Sequence, residues 1–246
     1  MTNVATDSTD EHRPSPFTGA DVCLQAGLTL PDGVRRPLFD DDLWDLTDVV
    51  GLAVQIPLVN RRFDFAVISD PRWRLVAKEL IIAALCPRHP AVAELPRAYR
   101  TPLHLSSCIG RLHELTRFFR WLDGRHIATL AEIDTHTCEA YLAFRRYILD
   151  ENGCVVGEQS PAVRRAAAQI VVDLVNYRDL FTADRVRADR LSANLSFLFT
   201  EWSFLDRFAA AADAGTRSIG VTVELANAGE RLRARRLREA ARTSTA

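Results

Sequence analysis

Residues 101–147 read TPLHLSSCIGRLHELTRFFRWLDGRHIATLAEIDTHTCEAYLAFRRY. Leu105, Ile109, Leu112, Leu115, Phe119 and Leu122 recur at spacings of three and four, which places them on one helical face. Thr101-Pro102 has the form of an N-cap followed by a first-turn proline, and Gly124 is a helix stop. The spacing predicts a helix over about 102–123. A short turn at Thr129–Ile133 leads to Asp134, a second cap, and a second helix is expected over 135–150. Asn152-Gly153 makes a turn with a β-like excursion at Cys154–Gly157. Ser160-Pro161 opens a third helix, expected over 161–182, with Val163, Ala167, Ile170, Leu174, Tyr177 and Phe181 on one face. Three amphipathic helices with short connections predict a mainly α bundle packed on Leu112, Phe119, Leu142, Ile170 and Leu174.

Working outward, Asp70-Pro71 repeats the cap-plus-proline signature, and the helix it opens is expected to end at Cys86-Pro87. Before it, Val54–Val59 and Phe63–Ile68 are β-prone runs around Asn60-Arg61-Arg62, suited to a hairpin or to extended packing segments. Residues 1–36 are rich in Asp, Thr, Pro and Gly and read as a disordered leader. Beyond 190 the pattern weakens. Leu191–Ala212 has helical spacing, Ile219–Leu225 alternates like a strand, and Glu230–Arg242 is an Arg-rich, helix-like tail. The resulting organisation is a leader (1–36), a small mixed packing region (37–97), a helical domain (98–190) and an irregular tail (191–246).

The 246 residues carry a net charge of only −1, but the charge is graded along the chain. Residues 1–60 hold three Arg against ten acidic residues, whereas residues 61–190 hold twenty basic against sixteen. A basic body suits a nucleic-acid binder and is also ordinary for a globular protein. Lys78 is the only lysine, so nearly all the positive charge is guanidinium, which grips phosphate bidentately. Five scattered cysteines without a Cys-x-x-Cys pair fit a reducing, cytoplasmic setting. The start has no apolar segment like that of a signal peptide, and no run reaches the length of a membrane span.

The order of these motifs resembles the core-binding, SAM-like domain of tyrosine recombinases, the phage-type integrase family. The residues that carry the likeness are Thr101, Phe118, Trp121, Leu122, Leu130, Ile133, Tyr141 and Leu142, with FDFAVISDPRWRLVAKEL upstream and SPAVRRAAAQIVVDLVNYRDLFTADRV downstream. The resemblance covers roughly residues 37–187. It implies binding of attachment-site-like duplex DNA in integration and recombination, with other recombinase protomers as partners on that DNA. Members of the family continue into a catalytic domain with an Arg, a Lys, a His-x-x-Arg, a further His or Trp and a Tyr nucleophile. Here the last histidine is His136, the last tyrosine is Tyr177, and nothing in 178–246 reads His-x-x-Arg. The expectation is therefore a truncated, DNA-binding portion that does not cleave DNA, has no catalytic residue and calls for no cofactor or metal. The alternative is a helical protein-interaction module without DNA binding.

Seven residues are the candidate DNA contacts. Thr101, His104, Ser107 and Arg111 form a polar stripe at the start of the first bundle helix, where hydroxyls and helix N–H groups suit phosphate. Their other reading is a solvated face with a capping threonine. Arg145 falls within the apolar arc defined by Cys138, Tyr141, Leu142, Phe144, Ile148 and Leu149. It is either a core-packed guanidinium paired with a carboxylate or a head emerging at a DNA-facing rim. Arg164 and Arg165 occupy the first turns of the third helix, where the dipole disfavours cations; they lie either on a plain solvated face or where a phosphate favours them. A zinc set of His104, Cys108, His136 and Cys138 lacks the tight paired spacing of structural sites.

Overall fold

The computed structural model describes residues 14–52, 56–95 and 100–183. The readings made for 1–13 and 191–246 lie outside them, as does Tyr99. Among the described residues the chain is mainly α, with six helices and two small two-stranded sheets. In chain order these are α1 (Val22–Ala26), β1 (Leu43–Asp45), β2 (Arg62–Asp64), α2 (Pro71–Leu85), α3 (Pro90–Ala93), α4 (Leu105–Asp123), α5 (Thr135–Arg146), β3 (Tyr147–Leu149), β4 (Val155–Glu158) and α6 (Pro161–Asn176).

One apolar cluster runs from Phe17 to Phe181. Helix α2 lies inside it, with every residue from Val76 to Leu85 buried. Such a helix is held by packing on all sides rather than by one stripe. Asp70 caps it by accepting the Arg72 N–H at 2.7 Å, and Pro71 occupies its first turn. Helices α2 and α4 pack together, with the Trp73 and Phe119 rings stacked at 4.9 Å. Helix α4 also packs on α6, and α6 on α5. Leu112, Phe119, Ile170 and Leu174 are buried as expected, while Leu142 is only half-buried at the margin of the core.

Several expectations are corrected. Residues 14–36 are not a detached leader. Asp21 caps α1, and Phe17, Val22 and Cys23 are fully buried in the common core. The partner of the strand after Asn60 is Leu43–Asp45, not Val54–Val59. Trp44 stands opposite Phe63 in that pair and both rings are buried, whereas Leu58–Arg61 forms a 3-10 turn with exposed Val59. The reading for Val54 falls outside the described residues. Helix α4 starts at Leu105 and not at Pro102. The Leu103 N–H donates to Ala84 C=O at 2.9 Å, which keeps 101–103 extended against the end of α2.

Helix α5 ends at Arg146, because the Gln159 N–H takes the Arg146 carbonyl and starts a β-hairpin. Gly153, with φ at +79°, closes that hairpin. Helix α6 ends at Asn176, and the chain turns so that the Thr182 N–H and hydroxyl both donate to Glu79.

Glu79 is fully buried on α2 and ties Thr182 to a position 103 residues earlier. Burial pushes its carboxyl above the ordinary glutamate range, and the hydrogen bonds of Thr182 and Ser15 oppose that shift. A raised folded-state pKa means that the native state keeps a proton the unfolded chain has released. The native state therefore loses stability as pH rises above about 4.3, the ordinary glutamate value. Glu79→Gln removes the ionisation while keeping an acceptor for Thr182. In urea unfolding the variant should gain on the parent from pH 4 to pH 7, and a difference that stays flat or shrinks would exclude this account.

Candidate nucleic-acid interface

The seven candidate residues fall in three separate places. Thr101, His104 and Ser107 are exposed around the start of α4. His104, not Thr101, is the cap, with its imidazole accepting the Ser106 N–H at 3.4 Å.

Arg111 and Arg145 turn inward. The Arg111 Nε donates to Asp173 on α6 at 2.6 Å, and Gln169 donates to the other oxygen of that carboxylate at 2.8 Å. Burial holds the Asp173 carboxyl above the usual aspartate range, and Arg111 and Gln169 offset that only in part. Burial likewise works against the Arg111 charge, but Asp173 outweighs it and holds the guanidinium ionised.

Arg145 grips Glu114 of α4 with two donors, at 2.7 and 3.1 Å. The Tyr141 hydroxyl donates to the same carboxylate at 2.6 Å. Burial alone would raise the Glu114 pKa; Arg145, Tyr141 and Arg117 together bring it below the usual range. The core-paired reading of Arg145 is thus the one its geometry follows. Arg111, expected as a DNA contact, and Arg145, for which a DNA-facing rim is the other reading, are each engaged by a carboxylate of a neighbouring helix.

Arg164 donates to Glu158 at 3.0 Å, and Arg146 reaches the other oxygen of that residue, so α6 starts against the hairpin. Arg165 is exposed one residue further on.

The outward face of α4 is a different set. At about 100° per residue, Ser106, Gly110, His113, Arg117 and Arg120 share one narrow arc, and all five are exposed. Arg117 extends from a 3.2 Å contact with Glu114, with its side chain 55% exposed, and Arg120 lies by the Val67 carbonyl at 3.5 Å. Just past the helix, the Arg125 guanidinium sits 3.7 Å from the Trp121 ring centroid. This cation–π contact holds a cation at the surface in a fixed position. No acidic side chain interrupts the arc. Its phase could have been found from the sequence by following the exposed positions four and seven residues beyond Ser106. The hydroxyl-led stripe chosen instead runs through Arg111, one step round the helix and into the core.

The Cys108 and Cys138 thiols are buried and pushed up to about 12, chiefly by burial. No group of three or more metal-ligating side chains occurs among the described residues. None of their helices is long and apolar enough to cross a membrane. Comparison of the chain with protein-family models, with curated proteins and with solved structures finds no match.

The inward pairs make a direct prediction. Arg111→Met leaves Asp173 buried without its cation and should cost about 3–5 kcal/mol. The double change Arg111→Met/Asp173→Leu removes both charges and should recover most of that loss. Urea midpoints of the three proteins measure it. A double variant no better than the single one would show that the pair is not the source of the loss.

Proposed function

We propose that the chain binds duplex DNA through the outward face of α4, as the core-binding, SAM-like portion of a tyrosine-recombinase-type protein, and does not cleave DNA by itself. The observation that carries this reading is the exposed arc Ser106–Gly110–His113–Arg117–Arg120, which is flanked by Arg125 and has no acidic residue among its own positions; Arg117 touches the interior Glu114 with its side chain still 55% exposed. Arginine heads beside small residues allow a close approach to a phosphate backbone, which supplies most of the sequence-independent affinity for DNA. The sequence pattern supports the family reading, with Phe118, Trp121 and Leu122 closing α4, a turn at Leu130–Ile133, and Tyr141-Leu142 on α5. The non-catalytic reading draws on the tyrosines. Tyr141 and Tyr177 are buried, and the Tyr141 hydroxyl donates to Glu114, an environment that raises its pKa rather than activating it.

A second reading, a helical protein-interaction module without DNA binding, draws on the exposed apolar residues of the β3–β4 hairpin.

Mobility shifts of the full chain on duplex DNA across a salt series separate the two. Binding should weaken linearly with log salt. Arg117→Gln and Arg120→Gln should each flatten that slope by about one unit. Glu114 keeps Arg145 and Tyr141 in the first variant, so the core is retained. No shift at low salt favours the interaction module; binding with an unchanged slope in both variants rejects this face.

A further inference from the structure

Residues 144–156 gather five large apolar side chains at the surface: Phe144, Ile148, Leu149, Val155 and Val156, each between 41% and 63% exposed. They surround a two-stranded sheet, so each strand has one outer edge. The ladder shows which groups that edge presents. Gln159 N–H donates to Arg146 C=O at 2.8 Å, Ile148 pairs with Gly157, and Asp150 N–H donates to Cys154 C=O at 2.9 Å. In an antiparallel ladder the facing residues alternate with outward ones. The N–H and C=O groups of Tyr147 and Leu149 therefore point away from β4. Among the described residues, no backbone partner for either lies outside this hairpin and the helix it leaves.

The β3 edge is complementary to itself. Laid antiparallel on a second copy with Ile148 on the two-fold axis, Tyr147 meets Leu149, and Arg146 of each copy meets Asp150 of the other. Apolar side chains stand at the centre and opposite charges at both ends, a pairing that stabilises a sheet. The β4 edge lacks this regularity, since its register breaks between Gly157 and Val155 and leaves Val156 as a bulge.

We infer that β3 is a self-association edge: two copies of this chain pair antiparallel through Tyr147–Leu149 and form a four-stranded sheet. The contact is isologous, so it closes as a dimer rather than growing into a filament. It stands apart from the DNA reading and is tested without DNA.

The geometry makes a crosslink the sharpest test. In the new ladder Tyr147 and Leu149 would exchange hydrogen bonds, so Ile148 would face its own copy across a non-hydrogen-bonded pair. The Cα separation there is about 4.5 Å, within disulfide reach. Exposed Cys154 is first changed to Ser in the full chain; the other four cysteines are buried. Ile148→Cys in that background should give a covalent dimer under mild oxidation, and Val156→Cys should not. By sedimentation, the parent should show twice the 27.5 kDa chain mass at high concentration. Ile148→Lys, which places two like charges on the axis, should be monomeric with unchanged circular dichroism. A monomeric parent, equal crosslinking at 148 and 156, or a dimer that survives Ile148→Lys would each overturn the proposal.

Discussion

Arg111 and Glu114 stand three residues apart on α4, and neither can keep its charge in the core alone. Asp173 of α6 answers the first and Arg145 of α5 the second. Taking such groups out of water costs several kcal/mol per ion, so the pairs add little net stability over apolar residues of similar size. Their effect is on arrangement. Apolar faces tolerate small slides and rotations, whereas charge-assisted hydrogen bonds, bidentate at Arg145–Glu114 and single at Arg111–Asp173, restrict them. The two pairs fix α5 and α6 against adjacent turns of α4, and α2 closes the remaining side with the Trp73–Phe119 stack.

That arrangement also decides the surface. Once Arg111 and Glu114 point inward, helical geometry leaves Ser106, Gly110, His113, Arg117 and Arg120 outward. Arg117 belongs to both regions, since its head touches the rim of Glu114 while most of its side chain is exposed. The interior carboxylate thus helps orient a surface cation. The same logic explains why basic residues on one helix have different surroundings: Arg111 is paired inside the bundle, and Arg120 is exposed beside the Val67 carbonyl.

The helices of the bundle were legible because their signals are local. Asp70, Asp134 and Ser160 each cap the helix they were expected to cap, and the apolar spacing of α4 and α6 points to the core. Errors arose where a distant group decided the outcome. Thr101 would cap a helix if Leu103 were not held by Ala84, and Arg111 would be a surface arginine if Asp173 did not lie 62 residues away. Phe17 and Val22 lie in a polar, proline-containing stretch whose composition hides that both are fully buried, Phe17 against His89 and Phe39. The strand pairing was missed for a similar reason. Trp44 and Phe63 are the buried cross-strand pair, but Trp44 stands in an acidic segment with little β-periodicity. No local rule reports on a partner that is brought in only by the fold.

Among the described residues, the β3–β4 hairpin is where exposed large apolar side chains are most concentrated. Most large side chains from Phe17 to Phe181 join one cluster, and exposed ones such as Leu24, Val50 and Val59 are spread along the chain, whereas five are gathered at the surface within residues 144–156. Exposed strand edges are commonly blunted by lysine, proline or a bulge. β4 has the bulge, but β3 has none of these, and its flanking charges are opposite in sign at its two ends. Like charges at both ends would repel a second antiparallel copy, whereas Arg146 and Asp150 attract one. An edge that is apolar, unblocked and charge-matched to itself has the physical features of a contact surface, and the bulge on β4 confines that property to one side of the hairpin.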